Sequence, residues 1–82
     1  MKHELKIFPE HYRRVAAGTK TFEIRKNDRV FQKGDEVQLF AYHPEHSYLN
    51  EKEFPPLSYR IGDVYPIDSE RVVFGLLPME PK

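Results

Sequence analysis

Gly18-Thr19-Lys20-Thr21-Phe22-Glu23-Ile24-Arg25, followed at once by Lys26-Asn27-Asp28-Arg29, is where a helix stops and a strand begins. Gly18 suits the position just after a last helical turn, because a left-handed backbone costs glycine little. From Thr21 to Lys26 apolar and polar residues alternate, which is the period of a strand. Phe22 and Ile24 share one face, and Thr21, Glu23 and Arg25 share the other. The alternation predicts that Phe22 and Ile24 enter the core while Glu23 and Arg25 emerge beside Lys20. Asn27-Asp28 then signals a turn.

On the N-terminal side, His3 to Phe8 reads as a first strand, with Leu5 and Ile7 on one face and Glu4 and Lys6 on the other. Pro9 stands where prolines start helices. From Pro9 to Ala17, Tyr12, Val15 and Ala16 form a short apolar stripe at helical spacing. Arg13 and Arg14 fall near the helix C-terminus, where the backbone dipole favours cations.

On the C-terminal side, Lys33-Gly34-Asp35 is a second turn signal. Glu36 to Tyr42 reads as a strand, with Val37, Leu39 and Ala41 on one face and Phe40 and Tyr42 on the other. That pattern suits a strand covered on both sides. His43 to Pro56 is a long irregular segment holding three of the seven prolines, with Tyr48, Leu49 and Phe54 as anchors. A loop of that length in a small domain is functional or mobile as a rule. Leu57 to Tyr65 is a further strand, with a bulge or bend expected at Gly62-Asp63. Arg71 to Leu77 is an almost unbroken apolar run, which suits a central strand. Pro78 to Lys82 reads as a tail.

The order is therefore β-α-β-β-(long loop)-β-β, an α+β pattern. One short helix cannot cover an open five-stranded sheet, so the sheet is expected to curl into a small β-barrel of about five strands with the helix closing one end. The 82 residues suit a single domain spanning 1–82 with a modest core. There is no cysteine, so neither disulfides nor thiolate metal sites support it, and a cytoplasmic setting is expected. No apolar run approaches the length of a transmembrane helix, and the N-terminus lacks a signal-peptide core, so no membrane partner is expected. Net charge is zero but uneven: residues 1–35 hold nine Lys/Arg and five Asp/Glu, and residues 36–82 hold four and eight. Zero net charge argues against strong non-specific nucleic-acid binding, while the basic half permits a local patch that meets phosphate.

His3-Glu4-Leu5-Lys6-Ile7, Gly18-x-Lys20-Thr21-Phe22-Glu23-Ile24-Arg25-Lys26-Asn27-Asp28-Arg29 and Phe31-Gln32-x-Gly34-Asp35 together resemble the bacterial and phage family DUF3850. That family is placed among the ASCH domains, named for homology to activating signal cointegrator 1, in the PUA-like superfamily. The resemblance is carried by the first half of the chain. It implies a PUA-like barrel, a cleft beside the helix-to-strand turn, and RNA or a nucleotide-like molecule as ligand. Fold by itself does not settle function.

The residues fit that expectation chemically. Lys20 offers a compact cation for phosphate, and Arg25 a planar fork for phosphate or a base edge. Glu23 can accept from an exocyclic amine, Arg29 is a further phosphate contact, and Tyr42, with Tyr48 or Phe54, offers a stacking surface. The plainer reading makes Lys20, Glu23 and Arg25 an ion-pair network that holds the turn. An enzyme reading also exists. ASCH-like amidohydrolases of N4-acetylcytidine resemble this chain at the same motif, with a lysine matching Lys20 but a threonine nucleophile where Glu23 stands. In an enzyme, Lys20 and Glu23 would carry the catalysis, with Asp68 or Glu70 as the partner carboxylate. A third reading is an interaction module that exposes an apolar patch around Tyr48, Leu49 and Phe54. His43 and His46 are three apart around Pro44, with no further ligand at a recognisable spacing, so no metal is expected, and no cofactor motif occurs.

Overall fold

The computed structural model describes residues 1–79. Strand β1 (Lys2–Ile7) leads into helix α1 (Pro9–Ala16), then β2 (Phe22–Lys26) and β3 (Glu36–His43). A two-residue strand β4 (Ser47–Tyr48) follows, then β5 (Leu57–Pro66) and β6 (Arg71–Pro78). The long segment after β3 is thus not wholly irregular: it folds back as a hairpin that pairs Tyr48 with Tyr42. The expected tail starts one residue late, because Pro78 closes β6, and its residues 80–82 lie outside the described residues.

Five strands form one path in the order β1-β3-β5-β6-β2, with β4 attached to β3. β1 lies parallel to β3, and each later pairing is antiparallel. The edge strands β1 and β2 therefore run in opposite senses. No ladder joins them among the described residues, so the barrel expected from the sequence is corrected to an open, curled sheet. One side chain reaches across instead: Arg25 Nη2 donates to the Lys6 carbonyl at 2.6 Å. The register of β5 on β6 shifts between Ile61 and Val64, at the bulge expected around Gly62-Asp63.

The inner face of the sheet is apolar, with Val37 and Leu39 fully buried and Phe74 and Ile61 nearly so. Burying Phe74 stabilises the fold by about 2–3 kcal/mol. Helix α1 starts on Pro9 and buries Tyr12 and Val15. The Tyr12 hydroxyl donates to the Pro55 carbonyl at 2.5 Å, and its ring meets Phe54 edge-on. That contact ties the helix to the segment before β5. Asp35, read only as a turn residue, is buried as well: its carboxylate bonds His3 Nε2 at 2.8 Å and accepts from the Gln32 amide.

One face assignment is inverted. Phe22 and Ile24 are exposed, and Glu23 is buried with Arg25 half-buried behind it. The register explains this. Glu23 lies opposite Phe74 and Arg25 opposite Val72, so both share the inner face with buried residues of β6. Ile24 lies opposite Val73 on the outer face, and Phe22 has the Lys20 ammonium 5.6 Å from its ring centre. Tyr12 and Phe74 are core, Phe40 is half-buried under Tyr48, and Phe22 is not core.

Candidate cleft between the two edge strands

The site begins at the end of α1. Gly18 adopts φ +80°, and its amide donates to the Val15 carbonyl while the Thr19 amide donates to Arg14. This pairing closes a helix in a Schellman turn. The Lys20 amide also donates to the Arg14 carbonyl, which fixes where the lysine leaves the turn. Its ammonium donates to Glu23 Oε1 at 3.0 Å and lies 3.5 Å from His11 Nδ1. Arg25 Nε donates to Glu23 Oε2 at 2.9 Å.

Glu23 is thus a buried carboxylate with one cation on each oxygen, and its side chain is only 4% exposed. A buried charge is tolerable only when paired in this way. The arrangement gives Glu23 a positioning role, since both of its oxygens are occupied before any ligand arrives. Arg25 is pinned along one edge, by Glu23 and by the Lys6 carbonyl. Among the described residues two of its five donors are used, by Glu23 and the Lys6 carbonyl.

These groups line a cleft of about 770 Å³ between the end of β1, the start of α1 and strand β2. Of the residues singled out in the sequence, Lys20, Glu23, Arg25 and Tyr42 line this cleft. Lys6, His11 and Arg14 join them, and the sequence reading missed these three. The signal was present in part: His11 and Arg14 are three apart on α1, hence on one helical face. Lys6 stacks its ammonium 4.5 Å above the Tyr42 ring.

Arg29 is placed elsewhere. It lies 3.7 Å from the Asp28 carboxylate and lines a neighbouring hollow of about 540 Å³, together with Arg25, Phe40, Tyr48, Leu49 and Phe54. Of the three anchors in the long segment, Tyr48 is exposed, while Leu49 and Phe54 pack against the core.

Other candidates fall outside the cleft. Thr21 is exposed, and its carbonyl accepts from the Leu76 amide. The Asp68 carboxylate accepts from the Glu70 and Arg71 amides and from the Arg71 guanidinium, which holds its pKa below the usual carboxylate range. Neither Asp68 nor Glu70 lines the cleft. In the β3–β4 turn, His43, Glu45 and His46 bring their donor atoms within 4.8 Å of one another. His43 Nδ1 already accepts from the Glu45 amide at 3.1 Å, so that nitrogen is committed to the turn.

No helix among the described residues is long and apolar enough to cross a membrane. No curated protein matches the sequence. A family model, a domain of unknown function designated DUF3850, matches residues 2–76, and with nearly its whole length covered the chain belongs to that family.

Proposed function

We propose that this protein binds RNA through a nucleotide held in the cleft beside the α1–β2 turn, with phosphate on Lys20 and Arg25. The observation that carries the proposal is the buried Glu23 carboxylate aiming two cations, one from each side, into a single cleft. Around it the lining is basic: Lys6, Arg14, Lys20 and Arg25 against one ion-paired acid, with His11 beside Lys20. A planar arginine and a compact lysine suit phosphate, and the neighbouring tyrosine supplies a face for a base. The sequence likeness to ASCH domains of the PUA-like superfamily supports the same ligand class, and the curled sheet with one open seam is compatible with that barrel type. A cysteine-free chain with such a ligand fits a cytoplasmic setting.

The test is fluorescence anisotropy with labelled single-stranded RNA octamers of random sequence, at several salt concentrations. We expect saturable binding that weakens with salt, by a slope of about 0.7 for each phosphate neutralised. Lys20→Ala and Arg25→Met should each weaken it at least tenfold. Binding that is absent, or unchanged in both variants, overturns the proposal. Release of acetate from N4-acetylcytidine would move the protein to the amidohydrolase reading instead.

A further inference from the structure

The cleft and the neighbouring hollow are not independent. Arg25 and Lys6 line both, so the Arg25–Lys6 bridge divides one continuous seam between the edges β1 and β2. The seam is ordered along the strands. Towards Ile7 at the end of β1, Phe8 just after it and Glu23 on β2 lies the basic compartment of His11, Arg14 and Lys20. Towards Glu4 on β1 and Arg29 beyond β2 lies the aromatic compartment of Phe40, Tyr48 and Phe54.

We infer that the seam takes an extended single-stranded segment of at least two nucleotides, with the phosphate between them on Arg25 and Lys6 at the bridge. The inference rests on the RNA reading above and adds to it a second subsite and a ligand length. Arg25 is preorganised for the linking phosphate: Glu23 and the Lys6 carbonyl hold one edge of the guanidinium, and among the described residues its other donors remain for an anion. Lys6 stands beside it with its ammonium 4.5 Å above Tyr42 and 5.8 Å above Tyr48.

The aromatic compartment has the right character for a base. Tyr48 is 58% exposed, yet its ring is set edge-on against Tyr42 at 5.4 Å and against Phe40 at 6.4 Å. An exposed ring whose orientation is held by two others is a stacking platform, and base–aromatic stacking tolerates any sequence. A volume of about 540 Å³ is ample for one nucleoside. A single strand offers unpaired bases to such a platform, whereas the bases of a duplex are already stacked on one another.

An extended peptide is the other occupant that a seam between strand edges suggests, because it can add as a strand. Two features favour the polyanion. The Lys6 carbonyl, which faces the seam from β1, is already bonded to Arg25. Cations also outnumber acids around the two compartments, with Lys6, Arg14, Lys20, Arg25 and Arg29 against Glu4, Glu23 and Glu51.

Calorimetry with the four ribonucleoside 5′-monophosphates and with the 5′-phosphorylated dinucleotides pApA, pCpC, pGpG and pUpU tests this. We expect at least one dinucleotide to bind tenfold or more tightly than its mononucleotide. Tyr48→Ala should remove that gain, and the exposure of Tyr48 makes a folding defect easy to separate by circular dichroism. If mononucleotides bind in a Lys20-dependent way and dinucleotides gain nothing, the two-nucleotide seam is wrong while the RNA reading stands. If no nucleotide binds at all, both fall. A penta-glutamate peptide that binds as tightly as the best dinucleotide makes the seam a peptide site and also overturns the inference.

Discussion

Glu23 Oε2 accepts a hydrogen bond from Arg25 Nε at 2.9 Å, two residues along the same strand and on the same inward face. The pair places a carboxylate where an aliphatic side chain would ordinarily stand. Removing Glu23 leaves Lys20 and Arg25 beside one another with no counter-charge. We expect Glu23→Ala to cost about 2–3 kcal/mol, the buried-pair figure reduced because both cations are partly exposed. Glu23→Gln should cost less, about 1–2 kcal/mol, since the amide still accepts from one cation while turning a donor toward the other. Urea midpoints measure both. The triple variant Lys20→Met, Glu23→Leu, Arg25→Met removes all three charges together. It should restore stability to within about 1 kcal/mol and abolish RNA binding.

The inverted face of β2 makes an ordering prediction. Phe74→Ala should destabilise by about 3–5 kcal/mol, as a fully buried ring does. Phe22→Ser should cost no more than about 1 kcal/mol, since that ring is 43% exposed. Denaturation of the two variants side by side gives the answer, and a Phe22 effect as large as that of Phe74 would put Phe22 back in the core.

Gly18 holds φ +80°, and apart from the residues on either side of it no atom among the described residues lies within 4 Å of where a β-carbon would stand. The cost of substitution there is conformational and not steric crowding. Gly18→Ala should lose about 1–2 kcal/mol, the penalty of the left-handed region for an L-residue. It should also weaken RNA binding, because the same turn anchors the Lys20 amide on Arg14. Thermal melting and anisotropy on one preparation separate the two effects.

Acid should reveal the Asp35 network. Its bond to His3, together with the chain's terminal ammonium and the Gln32 amide, holds the Asp35 pKa below the ordinary carboxylate range despite burial. A depressed folded-state value means stabilisation that is full above the unfolded value of about 3.9 and is lost as pH falls below it toward the folded value. The melting temperature should therefore drop more steeply with acid, between about pH 4 and the folded-state value, in the wild type than in Asp35→Asn. Equal slopes would show that the network does not couple to folding.

Much of the fold was legible along the chain. Pro9 and Gly18 bracket α1 because each has a backbone preference of its own. The strand starting at Glu36 shows itself by its period, and the one starting at Arg71 by its almost unbroken apolar run. Lys20, Glu23 and Arg25 were legible as a group, since side chains two apart on a strand share a face and Lys20 stands in the adjoining turn. What did not show was which side of β2 faces inward. Period two defines two faces and is silent about their direction, and the apolar pair Phe22 and Ile24 pointed to the wrong one.

By itself, then, the sequence determined the local elements and the grouping of charges at the α1–β2 turn, because both depend on neighbours a few residues apart. Only the tertiary structure decided that Glu23 is buried, that the sheet stays open, and that Lys6, His11 and Arg14 join the cleft. Each of those depends on partners distant in the chain. Glu23 turns inward because β6 sets its register opposite Phe74, and the seam exists because Arg25 reaches a carbonyl 19 residues away instead of a strand reaching its neighbour.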